Sequence, residues 1–517
     1  MKLRWKILIG LGIFLLLAAL SAWFTANRQP ESQVSSYLDS LRARGEKLEI
    51  AEVIPPSVPA ASNCADAVQM AFGSLGSANP MMPYGMRMVA PGKALVAWQQ
   101  PEVRGFNGSG NFETTNTWEE LAADVATRQP ALDLLQEVFD RPKLDFNLEY
   151  KKGAYMLLPH LAPFKRSAQA LSAVADLDLH NGDTGGAVTN ICTLLALVRA
   201  NHDEPIFISH LVRIAMIAIA ENPTWELLQS TNATDAQLAW LQNNWEQMEF
   251  INSAERSCEM ERAMSKLNLE KARADGAEFD RLTGGLAGTI GSPSSGSAPG
   301  WSGDLDVVKY QVGKAAWRAS WSYTEEVHSL QADQIALETL RVMETNSQFL
   351  KSQCDAMQTN IAVLGLTNVG AALFTAMDIP DFDAEFGGTW MASLIGRTIR
   401  IEAARRVVIA AIALKRFQLK HGAWPQTLGE LAPEFVASVP IDPYDGKPLR
   451  YHPNTDGTYL LYCVGENGID DGGDPTNTTS GPPNSNWGWQ YPKARDWVWP
   501  QPATDAEIKY FYDHPPK

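Results

Sequence analysis

The feature that most constrains this chain is an uncharged, mostly apolar run at residues 7–24, preceded by Lys2, Arg4 and Lys6. Eighteen residues in a helix span about 27 Å, close to the roughly 30 Å hydrocarbon core of a bilayer. Cations at the N-terminal flank favour retention of that end in the cytoplasm. The run therefore predicts a single-pass transmembrane helix acting as signal anchor in the cytoplasmic membrane, N-terminus inside and bulk extracytoplasmic (periplasmic). A cleaved signal peptide is the competing reading, with Ala19-Leu20-Ser21 as a small-x-small site. Both readings export everything after Asn27. No later run spans, because Arg405 and Arg406 interrupt the apolar helix pattern near residues 407–414.

The chain has 517 residues, enough for two or three domains with cores of their own. Its formal net charge of −16 argues against nucleic acid, whose phosphates require a basic surface. The five cysteines (Cys64, Cys192, Cys258, Cys354 and Cys463) show no CxxC spacing and give neither a disulfide framework nor a zinc site. Buried, unpaired thiols are the expected state.

Period-3.6 apolar spacing dominates from Trp118 to Lys271, so the fold class is mainly α. Ala168, Ala170, Ala173 and Ala175, the turn Asn181-Gly182-Asp183, and Ala187 resemble one helical hairpin of a tetratricopeptide-like solenoid. A single copy falls short of the three or so repeats a solenoid needs, which points to an irregular helical domain. Residues 284–303 are a Gly/Ser/Pro-rich linker that cannot pack. The expected organisation is a signal anchor at 1–28, a mixed membrane-proximal region at 29–117, a helical domain at 118–395 and a small α+β module at 396–517.

That last module is strongly punctuated. A helix over residues 398–420 carries an apolar stripe of Ile401, Ala404, Val408, Ala411, Ile412 and Phe417, with Arg405, Arg406, Lys415 and Arg416 expected in water. Gly422 ends it, and Trp424-Pro425 turns the chain. Pro440-Ile441-Asp442-Pro443 predicts extended or turned backbone, because proline disfavours the α region in the residue before it. Residues 449–452 and 459–464 then read as a hairpin. The order Phe417, Gly422, Trp424, Pro425, then Pro440, Asp442, Pro443, Tyr444, Tyr451, then Gly465-Glu466-Asn467-Gly468 resembles the globular domain of type II secretion major pseudopilins. The resemblance covers about a fifth of the chain. It stops short of the N-terminus, which lacks the Phe-Thr-Leu-Ile-Glu start needed for polymerisation. Taken whole, the layout looks like that of uncharacterised membrane-anchored bacterial envelope proteins.

The resemblance implies a calcium loop, with Asn467 where the family has Asp and Asp496 matching a later Asp. Asp470, Asp471 and Asp474 would supply further oxygens toward the six to eight that calcium takes. A solvated acidic turn explains the same residues. Trp487, Trp489, Trp497 and Trp499 form two period-two pairs that would suit glycan stacking, or would pack into a terminal hairpin. Glu325-Glu326-Val327-His328 reads as a solvated helix face. The eight histidines are dispersed, and no nucleophile elbow, phosphate loop or dinucleotide fingerprint is present. The sequence thus points to a non-enzymatic interaction or scaffolding protein with protein partners, linked to a secretion or pilus-like assembly. Its alternatives are a cell-wall glycan-binding protein and an exported hydrolase whose carboxylates or histidines converge in a cleft.

Overall fold

The computed structural model describes residues 30–76, 79–106, 113–287, 311, 313–346, 351–367, 388–476 and 494–514. Residues 7–24 lie outside that set. Among the described residues no helix is long and apolar enough to cross a membrane, which corrects the expected single-pass architecture, membrane anchoring and localisation. The longest helix, Gly388–His421, is interrupted by Arg397, Arg400, Glu402, Arg405 and Arg406 at its centre.

The helical body is built from α1 (Pro30–Ala43), α2 (Ala65–Leu75), α3 (Trp118–Leu135), α4 (Leu161–His180), α5 (Thr184–Ala200), α6 (Phe207–Leu228), α7 (Asp235–Glu246), α8 (Ile251–Ala274), α9 (Gly276–Ala287), α10 (Ser322–Asn346), α11 (Lys351–Thr367) and α12 (Gly388–His421). Capping chemistry sets several boundaries. Thr117 and Thr234 each accept the N3 amide of the helix that follows, and Glu120 and Gln237 return the bond. Helices α4 and α5 form the small-residue hairpin. Ala168, Ala170, Ala173, Ala175 and Ala187 are all buried, and Gly182 makes the turn at φ +80°.

The described residues also hold three small sheets, one of which joins the region 29–117, expected to be mixed, to the C-terminal strands; this corrects the expected series of transmembrane helix, all-α domain and small α+β module. β1 (Arg87–Ala90) pairs antiparallel with β2 (Lys93–Leu95), and β3 (Val103–Phe106) pairs with β4 (Glu113–Asn116). β5 (Arg450–Pro453), β6 (Tyr459–Val464) and β7 (Asp496–Val498) form an antiparallel sheet at the C-terminal end. The last strand, β8 (Gln501–Pro502), leaves that sheet and pairs parallel with β2. α13 (Asp505–Asp513) then lies against β1, where Arg87 sits over the Phe511 ring at 5.1 Å.

One hydrophobic cluster runs unbroken from Cys64 and Trp118 through α4–α7 and α12 to Trp497 and Trp499. α12 is apolar around most of its circumference, because it packs on α6, α7, α10 and α11 as well as on β6. Arg405 and Arg406 are consequently not solvated as expected. Both clamp the buried Glu402, with guanidinium–carboxylate distances of 2.7 and 2.9 Å. Glu325 and Glu326 are likewise buried rather than solvated: Trp317 donates its indole N–H to Glu325, and Glu326 pairs with Arg273 at 2.5 Å.

Candidate interaction site

The connection from α5 to α6, Asn201-His202-Asp203-Glu204-Pro205-Ile206, concentrates more ionisable groups than its length suggests. Glu204 faces inward, where its Oε1 meets His160 Nε2 at 3.0 Å and accepts the Ser209 hydroxyl. Phe146 stacks on His160 with ring centroids 4.5 Å apart. Asp203 faces outward and takes Lys143 at 2.6 Å and Arg256 at 2.9 Å. The hydrogen bond from His202, with those from Lys143 and Arg256, holds the Asp203 carboxyl far below the usual carboxylate range. His202 also reaches Glu249 at 2.6 Å.

This arrangement does not match nucleophilic catalysis. Glu204 stands between Ser209 and His160, so the imidazole does not touch the hydroxyl, and all three groups are buried. A second Ser–His contact, Ser253 Oγ to His210 Nδ1 at 2.9 Å, is fully buried, and the other imidazole nitrogen meets Thr398 Oγ1 at 3.1 Å. Burial holds His210 well below the ordinary histidine range, so it stays neutral and ties α6, α8 and α12 together.

The segment 149–158 forms an exposed ridge, with Glu149, Lys151, Lys152, Tyr155 and Leu157 open to solvent. A cleft of about 490 Å³ is lined by Ile54, Pro55, Asp145, Tyr150, Lys151 and Lys152. A second cleft of about 460 Å³ is lined by Lys152, Tyr155, Lys271, Asp275, Glu278 and Arg281. Lys152 lines both and pairs with Glu149, while Arg281 pairs with Glu278. Burial, reinforced by the charges of Glu204 and Asp145, pushes the Tyr150 phenol far above its ordinary value, so it remains a neutral donor. On the ridge itself, Leu157 is 81% exposed and Tyr155 is 40% exposed. Sequence reasoning passed over this segment. Its available signal was the run Tyr155-Met156-Leu157-Leu158, separated from Lys151-Lys152 by Gly153-Ala154, with no periodicity to bury it.

The acidic loop that the resemblance marked for calcium is organised by protein groups. Both Asp496 oxygens accept backbone amides, from Asp471 at 3.4 Å, Gly473 at 2.8 Å and Asp474 at 3.1 Å. Asp470 binds Arg450 at 3.0 Å and the Tyr462 hydroxyl at 2.9 Å. Asn467 donates to Asp471 at 2.9 Å, and Arg495 lies 3.6 Å from both Asp471 and Asp474. Among the described residues no group of three or more His, Cys, Asp or Glu side chains is placed to hold a metal ion. The carboxylates of the loop are already engaged by protein donors. A melting temperature that holds constant on moving from chelator to millimolar calcium is the expected result, and a rise would restore the metal.

Trp497 and Trp499 are buried, and Trp225 donates its indole N–H to the Pro500 carbonyl between them and β8 at 2.9 Å. Those two rings are core, which removes them from any glycan-stacking row. Trp487 and Trp489 lie outside the described residues. None of the five cysteines is joined in a disulfide, and four of them are buried.

No family model, curated protein or solved structure matches this chain.

Proposed function

We propose that this protein acts by binding another protein along the ridge at residues 149–158, with its two flanking clefts accepting side chains of the partner. The observation that carries this reading is the exposure of Leu157 together with Tyr155, which itself lines one of the two clefts that share Lys152. Tyrosine is among the residues enriched at the centres of protein interfaces. The surrounding ion pairs would form its polar rim. This is an interaction role without catalysis, because the histidines and carboxylates nearest the clefts are committed to one another. The C-terminal resemblance to pseudopilins makes secretion-type assemblies the first place to look for the partner.

Site-specific photo-crosslinking in cells tests it. A crosslinking residue at position 157 or 155 is expected to capture one discrete partner, whereas the same residue at Met70, also exposed but remote from the clefts, captures none. Leu157→Asp should abolish the adduct formed from position 155 without moving the melting temperature. Equal labelling from all three positions, or no adduct from the ridge, would overturn the proposal.

A further inference from the structure

Beneath the β1–β2 hairpin two acidic side chains lie in the core without a cation. Asp176 of α4 is 1% exposed and neither carboxyl oxygen has a hydrogen-bond partner. Glu226 of α6 is fully buried, and it fastens the hairpin at both ends. Its Oε1 accepts the Met86 amide at 2.8 Å, just before β1, and the Ala97 amide at 3.1 Å, just after β2. The Trp98 indole donates to the Glu226 carbonyl at 3.1 Å, and His180 Nδ1 donates to the Trp98 carbonyl at 2.9 Å. Gly85 lets the hairpin come this close. A Cβ there would stand 3.0 Å from Asn222 Cβ and 3.7 Å from Asp176 Oδ2.

The charged neighbours are unhelpful to a second negative charge. From α4, Asp178 adds repulsion, its own carboxyl bonded to Asn190 at 2.8 Å. From α6, Glu221 is a further buried acid. On the hairpin, Arg87 is stacked over Tyr84 and Phe511, and Lys93 acts on Asp456 and Glu507 at the far end. Burial pushes Glu226 up to about 8, and burial with the charges of Glu226 and Asp178 pushes Asp176 well above its usual range.

We propose that Asp176 and Glu226 form a proton-operated latch, closed over the hairpin from Gly85 to Trp98 while the pair retains a proton and released when both carboxyls ionise. With one proton held, Glu226 keeps its amide donors and Asp176 stays neutral. When both ionise, two uncompensated charges lie in a dry core, and that penalty opposes the burial of Met86, Ala94 and Val96 that otherwise holds the hairpin down. The hairpin is short, and the β8 segment holds it through two backbone bonds, Gln501 N–H to the Gly92 carbonyl at 2.9 Å and Ala503 N–H to the Ala94 carbonyl at 2.8 Å. Its release therefore frees β8 and α13 with it.

Hydrogen exchange of the full chain, corrected for the intrinsic base-catalysed rate, tests this. Protection at the Met86 and Ala97 amides should fall at least about tenfold between roughly pH 6 and pH 9, while α5 stays protected. Asp176→Asn should abolish that dependence, because Glu226 then ionises alone among its amide donors. Should that variant fail to fold, Glu226→Gln gives the same test by leaving Asp176 without a charged neighbour in the pair. An unchanged pH dependence in a folded variant, or loss of α5 protection in step with the hairpin, would overturn the latch.

Discussion

Replacing Glu46 by alanine is expected to be among the most damaging single changes in the molecule, at roughly 3–5 kcal/mol. Glu46 follows α1 and accepts from Arg262 at 3.0 Å, Arg341 at 2.6 Å and Gln334 at 2.9 Å, joining the N-terminal segment to α8 and α10. Arg262 is fully buried, so the variant strands its guanidinium with a single carbonyl, that of Lys47, and Gln334 for company. Burial alone would raise the Glu46 carboxyl, but the hydrogen bonds from Arg341, Gln334 and Arg262 outweigh it and hold it at about 2. A depressed carboxyl binds fewer protons folded than unfolded. Its contribution is thus complete above its ordinary value near 4.5 and disappears as pH falls toward about 2. Urea unfolding at neutral pH and again near pH 3 should show wild type and Glu46→Ala converging in acid. A constant gap across that range would show that the network acts by shape rather than charge.

Trp497→Ala should cost a similar amount, about 3–5 kcal/mol, through lost burial and the cavity left behind. The ring is fully buried on β7, edge-on to Tyr444 at 5.3 Å, and belongs to the cluster that continues into the helical body. The unfolding transition should move as one, with no early step confined to the C-terminal sheet. Trp240→Ala is the control: its ring is 39% exposed, and the expected change is several-fold smaller. A Trp497→Ala protein of unaltered stability but weakened polysaccharide retention would return the tryptophan to a binding role.

Local chemistry was the legible part of this fold. The small-residue pair α4–α5 and the β5–β6 hairpin rest on short-range spacing, which the chain states openly. Asp442 shows the limit of that reading. Its motif marked a turn, but the structure makes it a fully buried hub that accepts the Tyr444 and Val464 amides and pairs with Arg450 at 2.8 Å. Two of those partners are distant in sequence and carry no local mark. Arg405 and Arg406 misled for a related reason. Cations on a helix suggest water until a buried acid such as Glu402 sits three or four residues away to neutralise them. The membrane assignment rested on residues 7–24 alone, and no described helix supports it. The ridge at 149–158 was invisible because a short 3-10 turn, Tyr150–Tyr155, kinked at Gly153, is too brief to show a period, and its exposure depends on the distant segments that flank it.

The parallel pairing of β2 with β8 ties residue 93 to residue 501. A growing polypeptide would thus have to emerge past residue 501 before the β1–β2 pair could acquire its third strand. The edge of β2 would wait until then, open to the wrong neighbour. Truncation before β8 would therefore injure the body some four hundred positions upstream of the cut as well as beside it.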